Sequence, residues 1–307
     1  MARVAFLGPP GTFTEEALLT QADLAGEELV PYRSIPEVLA ATEAGDADVG
    51  FVAIENSIEG SINVSLDALV FEHELLVQRE VVLAVSLNLI APAGTGLGDV
   101  RRVVSFPPAL AQCRRFLARE LPQAEVMAAN STAEAAEQVG AGVPDGTAAV
   151  ANALAAKLYG LEVLASDVED HPENQTRFVA LARDGIPVPT GHDKTSIVCF
   201  QRADRPGSLL AILQEFAARA INLTKLESRP TKQSLGQYCF IIDLEGHVAD
   251  ELVADCLRDL RSKLADVKFL GSYPAAGEHG PARRRDADAA WRSADEWIAS
   301  LRSQVRR

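Results

Sequence analysis

The chain has 307 residues, 48% of them hydrophobic and 23% charged, with a formal net charge of −14. That length suits two ordinary domains, or one divided domain and a small one, and the negative charge argues against non-specific binding to nucleic acid or acidic lipid. No eighteen-residue apolar run is present to span a membrane. Four scattered cysteines (Cys113, Cys199, Cys239, Cys256) and five isolated histidines give neither a CxxC pair nor metal-ligand spacing.

The opening "RVAFLG" is a buried strand, too short and too soon interrupted by Gly and Pro for a signal peptide, so a reducing cytoplasm is the expected setting. "PPGT" then turns into the helix "FTEEALL", where Thr12 stands three residues before Glu15 in capping-box spacing. "VGFVAIE" is a near-continuous apolar strand, as in a parallel sheet covered on both faces. "REVVLAVSLNLIA" predicts one long strand, "RRVVSF" another, and "PPALAQCRRFLAREL" a single helix. "STAEAAEQV" repeats the capping spacing with Ser131 and Glu134, and "TAAVAN" and "LEVLA" close the series. Strands alternating with helices predict an α/β domain with a parallel-type sheet over residues 1–183, and the long strand suggests two lobes, the second at about 81–165.

"RDGIPVPTGHD" has two Pro, two Gly and no periodicity, so 184–193 reads as a linker. Beyond it come a strand "TSIVCFQ", a helix within "DRPGSLLAILQEFAARAI", an extended "NLTKLESRP", and a strand "GQYCFIIDLEG". A helix "DELVADCLRDLRSKL" and a strand "VKFLGSY" complete 194–273. The order β-α-β-β-α-β is ferredoxin-like. In the tail, 274–307, Trp291, Ala294, Ile298, Leu301 and Val305 fall on one helical stripe, and arginines interleaved with acids read as a solvated face of a docking helix.

Two stretches have the makings of a site. In "GPPGTFTEEA" the glycines allow a tight turn and the helix start offers free N–H groups to an anion, or simply a capped helix. "AIENSIEGSINV" sets Glu55, Asn56, Ser57, Glu59, Ser61 and Asn63 at the C-terminal end of a buried strand, where open α/β sheets place ligands.

With "NQTRF" and "ESRP" added, these motifs resemble the prephenate dehydratase family over about residues 2–273. The resemblance implies a two-lobed catalytic domain similar to type 2 periplasmic binding proteins, followed by a ferredoxin-like ACT regulatory domain. It implies conversion of prephenate to phenylpyruvate in phenylalanine biosynthesis, with no metal or redox cofactor. An arogenate dehydratase and a non-catalytic amino-acid sensor are the alternative readings. By resemblance, Thr176 assists departure of the substrate hydroxyl. Arg177 pairs a substrate carboxylate or braces the cleft through Glu55, itself a candidate acid if buried. Thr12, Asn56 and Ser57 hydrogen-bond substrate, Ser105 reaches it from the second lobe, and Phe178 packs beside the ring or is core. The family often has histidines where this chain reads "AVSLNLI" and "SFPPAL". Leu87, Phe106 and Pro108 stand in those stretches, so neither histidine can be an essential acid here.

For the small domain, the resemblance implies a phenylalanine pocket where two ACT domains pair, hence a homodimer or homotetramer. Gly207, Ser208 and Leu209 would form one wall and Asn222 and Leu223 of the facing copy the other. Glu227, Ser228, Arg229 and Pro230 would couple the pocket to the catalytic lobes.

Overall fold

The structure is a computed structural model that describes residues 1–142, 144–202, 205–232, 236–277 and 296–304. The chain divides into two compact units, Met1–His73 with Val81–Ala180, and Glu74–Glu80 with Leu181–Arg307.

The chain opens with β1 (Arg3–Leu7), α1 (Phe13–Leu19), α2 (Ala22–Ala25), β2 (Glu28–Tyr32), α3 (Ile35–Ala44), β3 (Val49–Asn56), β4 (Gly60–Ser61), α4 (Asn63–Phe71) and β5 (Leu76–Ala84). A second lobe follows: β6 (Asn88–Ala91), β7 (Arg102–Ser105), α5 (Pro107–Gln112), α6 (Arg114–Glu120), β8 (Glu125–Ala128), α7 (Thr132–Gly140), β9 (Thr147–Ala151), α8 (Ala153–Leu158) and β10 (Glu162–Ala165). The chain then returns to the first sheet as β11 (Gln175–Ala182). The first sheet runs β2-β1-β3-β11-β5, with β4 on β3, and the second runs β10-β6-β9-β7-β8. β1 is parallel to β2 and β3, and β7 is parallel to β8 and β9, while β6 and β10 join antiparallel.

Parallel neighbours end at the same edge. The loops after β1 and β3 therefore share one rim of the first lobe, and those after β7 and β9 share one rim of the second. Val4, Phe6, Leu18, Phe51, Val81 and Phe178 fill the first lobe's core. Leu87, Leu89, Val103, Leu110, Cys113 and Val150 fill one face of the second sheet, and Ile90, Val104, Ala135, Val139 and Ala149 the other.

Two elements differ from expectation. The single long strand is two, β5 and β6, because the chain changes sheets between them. There the Val85 N–H donates to Asn174 O and Leu87 O accepts from Val168 N–H, both at 2.8 Å, so the returning segment takes the place of a ladder. The single helix after "RRVVSF" breaks at Cys113, whose φ of −111° and ψ of 13° leave the helical range.

Both predicted caps form, with a twist. Thr12 and Ser131 accept from the N–H of Glu15 and Glu134, but each glutamate reaches back one residue further, to Gly11 N–H and Asn130 N–H.

The second unit contains β12 (Asp193–Phe200), α9 (Ser208–Ala217), β13 (Leu223–Pro230), β14 (Tyr238–Glu245), α10 (Glu251–Lys263) and β15 (Asp266–Pro274). Its sheet order, β13-β14-β12-β15, is antiparallel at every pairing and ferredoxin-like. Ile197, Cys199, Phe240, Ile242 and Leu244 pack on Ile212, Phe216, Val253, Cys256 and Leu260 of the two helices. The alternation expected of β14 is overridden, since Cys239 to Leu244 are buried without a break. Asp243 on the other face is satisfied by Ser196 Oγ at 2.6 Å, which also meets Tyr273 Oη at 2.6 Å. Lys194 pairs at 2.8 Å with Glu80, whose side chain is 1% exposed. In the tail, 296–303 are helical and include Ile298 and Leu301; Trp291, Ala294 and Val305 lie outside the described residues. Among the described residues no helix is long and apolar enough to cross a membrane.

Candidate active site

The rim after β3 turns sharply, and Asn56 holds the turn. Its Oδ1 accepts the Ile58 and Glu59 N–H groups, each at 3.0 Å. With the oxygen so committed, Nδ2 must face the start of β11, where it donates to Thr176 Oγ1 at 2.9 Å, Asn174 Oδ1 at 2.9 Å and Gln175 O at 3.2 Å. Thr176 thus accepts a hydrogen bond through its oxygen, which leaves the hydroxyl proton to be donated. Ser57 completes the splice: its N–H donates to Gln175 O, its Oγ accepts from Gln175 N–H at 2.9 Å, and the hydroxyl donates to Asn174 Oδ1.

Asn174 carries the network to the second lobe. It is 1% exposed, and its Nδ2 donates to Gln112 Oε1 at 2.8 Å. Gln112 in turn donates to Glu59 Oε1 at 3.3 Å. Neither Gln112 nor Asn174 figured among the expected site residues. For Gln112 the sequence signal was position, at the end of a helix behind the second-lobe rim; Asn174 stood within the motif "NQTRF" but was given no role.

Arg177 lies against Glu55. Its Nη1 lies 3.6 Å from Glu55 Oε2, with the arginine side chain 11% exposed and the carboxylate 36%. Phe178 takes the core option: it is 1% exposed and stacks on Phe51, ring centroids 5.6 Å apart and planes within 8°. The pleat explains both, since neighbours along a strand point to opposite faces.

Two of the expected substrate-binding residues have partners within the protein. The Thr12 hydroxyl donates to Leu7 O at 3.1 Å while capping α1, and Thr12 is 7% exposed. Ser105 is fully buried at the end of β7 and donates to Val150 O at 2.6 Å, so it ties β7 to β9. Leu87 is core, at 1% exposure, whereas Phe106 precedes α5 at 41% exposure and Pro108 sits in that helix's first turn, where no N–H is missed.

The two rims meet at a second place. Asn152 Nδ2 donates to Glu16 Oε2 at 2.9 Å, and Tyr159 Oη donates to Pro10 O at 2.8 Å. Burial raises the Glu16 carboxyl above its usual range, with the Asn152 hydrogen bond pulling the other way. A cavity of about 630 Å³ is lined by Gly8–Pro10 and Tyr32 of the first lobe and by Asn130 and Ser131 of the second.

In the second unit, Gly207 precedes α9 with φ of +87°, a left-handed conformation suited to glycine. The Ser208 N–H and hydroxyl both go to Arg205 O. Leu209 and Leu223 pack on the domain core, and Asn222 donates to Glu245. Along β13, Glu227 and Arg229 share the less exposed face and pair at 2.8 Å, whereas Ser228 and Pro230 are exposed.

A family profile described as prephenate dehydratase matches residues 4–186, and an ACT domain profile matches 195–262. A prephenate dehydratase of Mycolicibacterium vanbaalenii is 45% identical over 306 residues, covering 95% of this chain and 97% of that protein. Among solved structures, the prephenate dehydratase of Arthrobacter aurescens in complex with L-Phe is 39% identical with a TM-score of 0.90, covering 98% and 99% of the two chains. GqqA, described as a quorum-quenching acylase, is 31% identical with a TM-score of 0.79, covering 89% and 98%.

Proposed function

We infer the chemistry of the rim from one premise: this chain belongs to the prephenate dehydratase family, and its second unit is an ACT domain. The reaction is that of a carbon–oxygen lyase. The ring carboxylate of prephenate leaves as CO₂, the electrons of that C–C bond enter the ring, and the C4 hydroxyl departs. Hydroxide leaves as water, so one proton is taken up for each phenylpyruvate formed. Aromatisation drives the change, and the protein is left to hold a dianion and to ease the oxygen out.

The observation that carries the assignment is the Asn56–Thr176 hydrogen bond. A lone threonine hydroxyl is too weak an acid to protonate a leaving group. One whose oxygen already accepts from an amide is oriented, and it donates a hydrogen bond that strengthens as negative charge develops on the departing oxygen. Asn174, Ser57 and Gln112 hold this geometry without touching the reacting atoms. Arg177, aimed by Glu55, faces a substrate carboxylate. Thr12 and Ser105 then act as braces of the two rims, and Phe178 as the core beneath Thr176.

Phenylalanine is the expected end-product effector. The Arthrobacter relative was solved with it, and this chain shares the ACT fold. Its pocket in this reading lies at Gly207–Leu209, closed by Asn222 and Leu223 of a second copy, which makes the working form a homodimer or a tetramer of such pairs.

The test is formation of phenylpyruvate from prephenate, followed by absorbance, for wild type and Thr176→Ala. The expected loss is ~2–4 kcal/mol of transition-state stabilisation, the range for one strong catalytic donor. Full activity in the variant would move the donor role to another residue.

A further inference from the structure

Strands β5 and β11 are neighbours in the first sheet, and each passes from one compact unit into the other. β11 carries Thr176 and Arg177 in the first unit. β5 begins in the second, within a segment Glu74–Glu80 that is fastened to the small domain's own strands. Glu80 Oε1 accepts from Lys194 Nζ of β12 and from the Ala276 N–H just beyond β15, both at 2.8 Å. Gly271 of β15 abuts Val77: a β-carbon on that glycine, whose φ is +142°, would lie 2.6 Å from Val77 O and 2.9 Å from Val77 N. Gln78 Nε2 donates to Gly185 O at 3.0 Å, which holds the linker as well. Lys268 meets Glu74 at 2.9 Å, a contact of little weight because that carboxylate side chain is 84% exposed.

Folding alone does not call for this arrangement. The Glu80 side chain is 1% exposed, and an ion pair so placed is seldom more stable than apolar side chains of the same size. What the pair does fix is register, since Lys194 and Ala276 leave β5 one position along β15. Beside it β15 carries an extra residue, Leu270, because Ser196 pairs with Gly271 and Ile197 with Phe269. The bulge and the glycine together let the Val77 backbone approach at a distance that no side chain would allow.

We propose that Glu80, held by Lys194 and Ala276, is the positioning residue that couples the small domain to Thr176, with β5 as the connecting strand. A shift of the ACT sheet on phenylalanine binding is passed to β5 at Glu80, and from β5 to its neighbour β11. The proposal rests on the reading of phenylalanine as end-product effector and names the route by which that effector acts. Inhibition reaches only as far as the two sites are linked, so loosening this tie lowers the maximal inhibition and leaves the effector's own site in place.

The test is phenylalanine titrated against initial rate, beside calorimetry of phenylalanine binding. Glu80→Leu removes both hydrogen bonds and leaves Lys194, whose side chain is 21% exposed, to solvent. Glu80→Gln keeps an oxygen for the Ala276 N–H and loses the charge, so it is the milder second variant. In Glu80→Leu, saturating phenylalanine is expected to leave about half or more of the uninhibited rate, with Kd within about threefold of wild type and effector-free kcat and KM within about twofold. Glu80→Gln falls between that and wild type. In wild type, phenylalanine changes amide hydrogen exchange across Leu76–Ala84, and in Glu80→Leu the change is lost beyond Glu80. Undiminished inhibition in both variants overturns the proposal, as does wild-type exchange in Leu76–Ala84 that phenylalanine leaves unaltered. Loss of phenylalanine binding in both variants overturns it too, because Glu80 would then shape the effector site and not link it to Thr176. A wild type that phenylalanine fails to inhibit removes the effector reading itself, and this route with it.

Discussion

Asn56 and Thr176 stand 120 positions apart in the chain, yet the amide of one donates to the hydroxyl oxygen of the other at 2.9 Å. The polarity of that contact is not free to reverse, because the Asn56 carbonyl oxygen is held by two backbone N–H groups of its own turn. A donor behind the threonine oxygen leaves the threonine proton pointing away, which is what a departing hydroxyl requires.

Asn56→Asp tests that polarity with almost no change of shape. The turn keeps its acceptor for Ile58 and Glu59, but the atom facing Thr176 becomes an acceptor and draws the hydroxyl proton to itself. kcat/KM falls by about 10²-fold, ~2.7 kcal/mol, with the melting temperature within a few degrees of wild type. Steady-state kinetics beside a thermal melt decide it, and unchanged turnover would show that the threonine proton is not needed.

Gln112 is the point where the second lobe joins the network. Gln112→Leu strands the buried Asn174 amide and cuts the tie to Glu59, for a stability loss of ~1–3 kcal/mol. Gln112→Glu keeps the acceptor for Asn174 while opposing Glu59, so it folds nearly as well and still loses catalytic efficiency. Denaturant unfolding alongside kinetics separates the two, and equal stability in both variants would show Asn174 to be satisfied without Gln112.

Phenylalanine, titrated against initial rate, inhibits prephenate turnover, and the effect vanishes when the ACT domain is prevented from pairing. Inhibition requires the ligand to bind one arrangement more tightly than the other. Saturating phenylalanine, bound by calorimetry but without effect on rate, would remove the regulatory reading and leave the catalytic one intact.

Burial pushes the thiols of Cys113, Cys199 and Cys256 up to about 12, with Glu169 and Asp170 adding to the effect at Cys113. The folded state therefore keeps these protons while the unfolded chain sheds them near the ordinary thiol value of ~8.5. This stabilising contribution is complete only below that unfolded-state value, and stability falls as pH climbs from there through the window up to about 12. The urea midpoint at pH 10 should lie below that at pH 8, and a disulfide thiol reagent at pH 8 should label the protein only after denaturant is added. Prompt labelling of native protein would show the thiols to be accessible.

Much of the architecture was legible because it is local. The Thr12 and Ser131 caps and the apolar strands "RVAFL" and "VGFVAI" depend on residues a few positions apart, as does the six-element order of the small domain, and spacing alone reveals them. The site was legible in its parts, since "ENS" and "QTRF" stand out as polar clusters at the mouths of buried strands.

The partnerships inside the site were decided by tertiary structure alone. Whether Arg177 meets Glu55, whether Phe178 joins the core, and whether Ser105 turns towards Val150 depend on which way a pleated strand faces, and a slip of one residue in register would reverse each answer. Gln112 and Asn174, 62 positions apart, become neighbours because the chain crosses from one sheet to the other and returns. Residue spacing records what a helix or strand does with its own neighbours; it holds no coordinate for a contact that exists only once two sheets have been brought rim to rim.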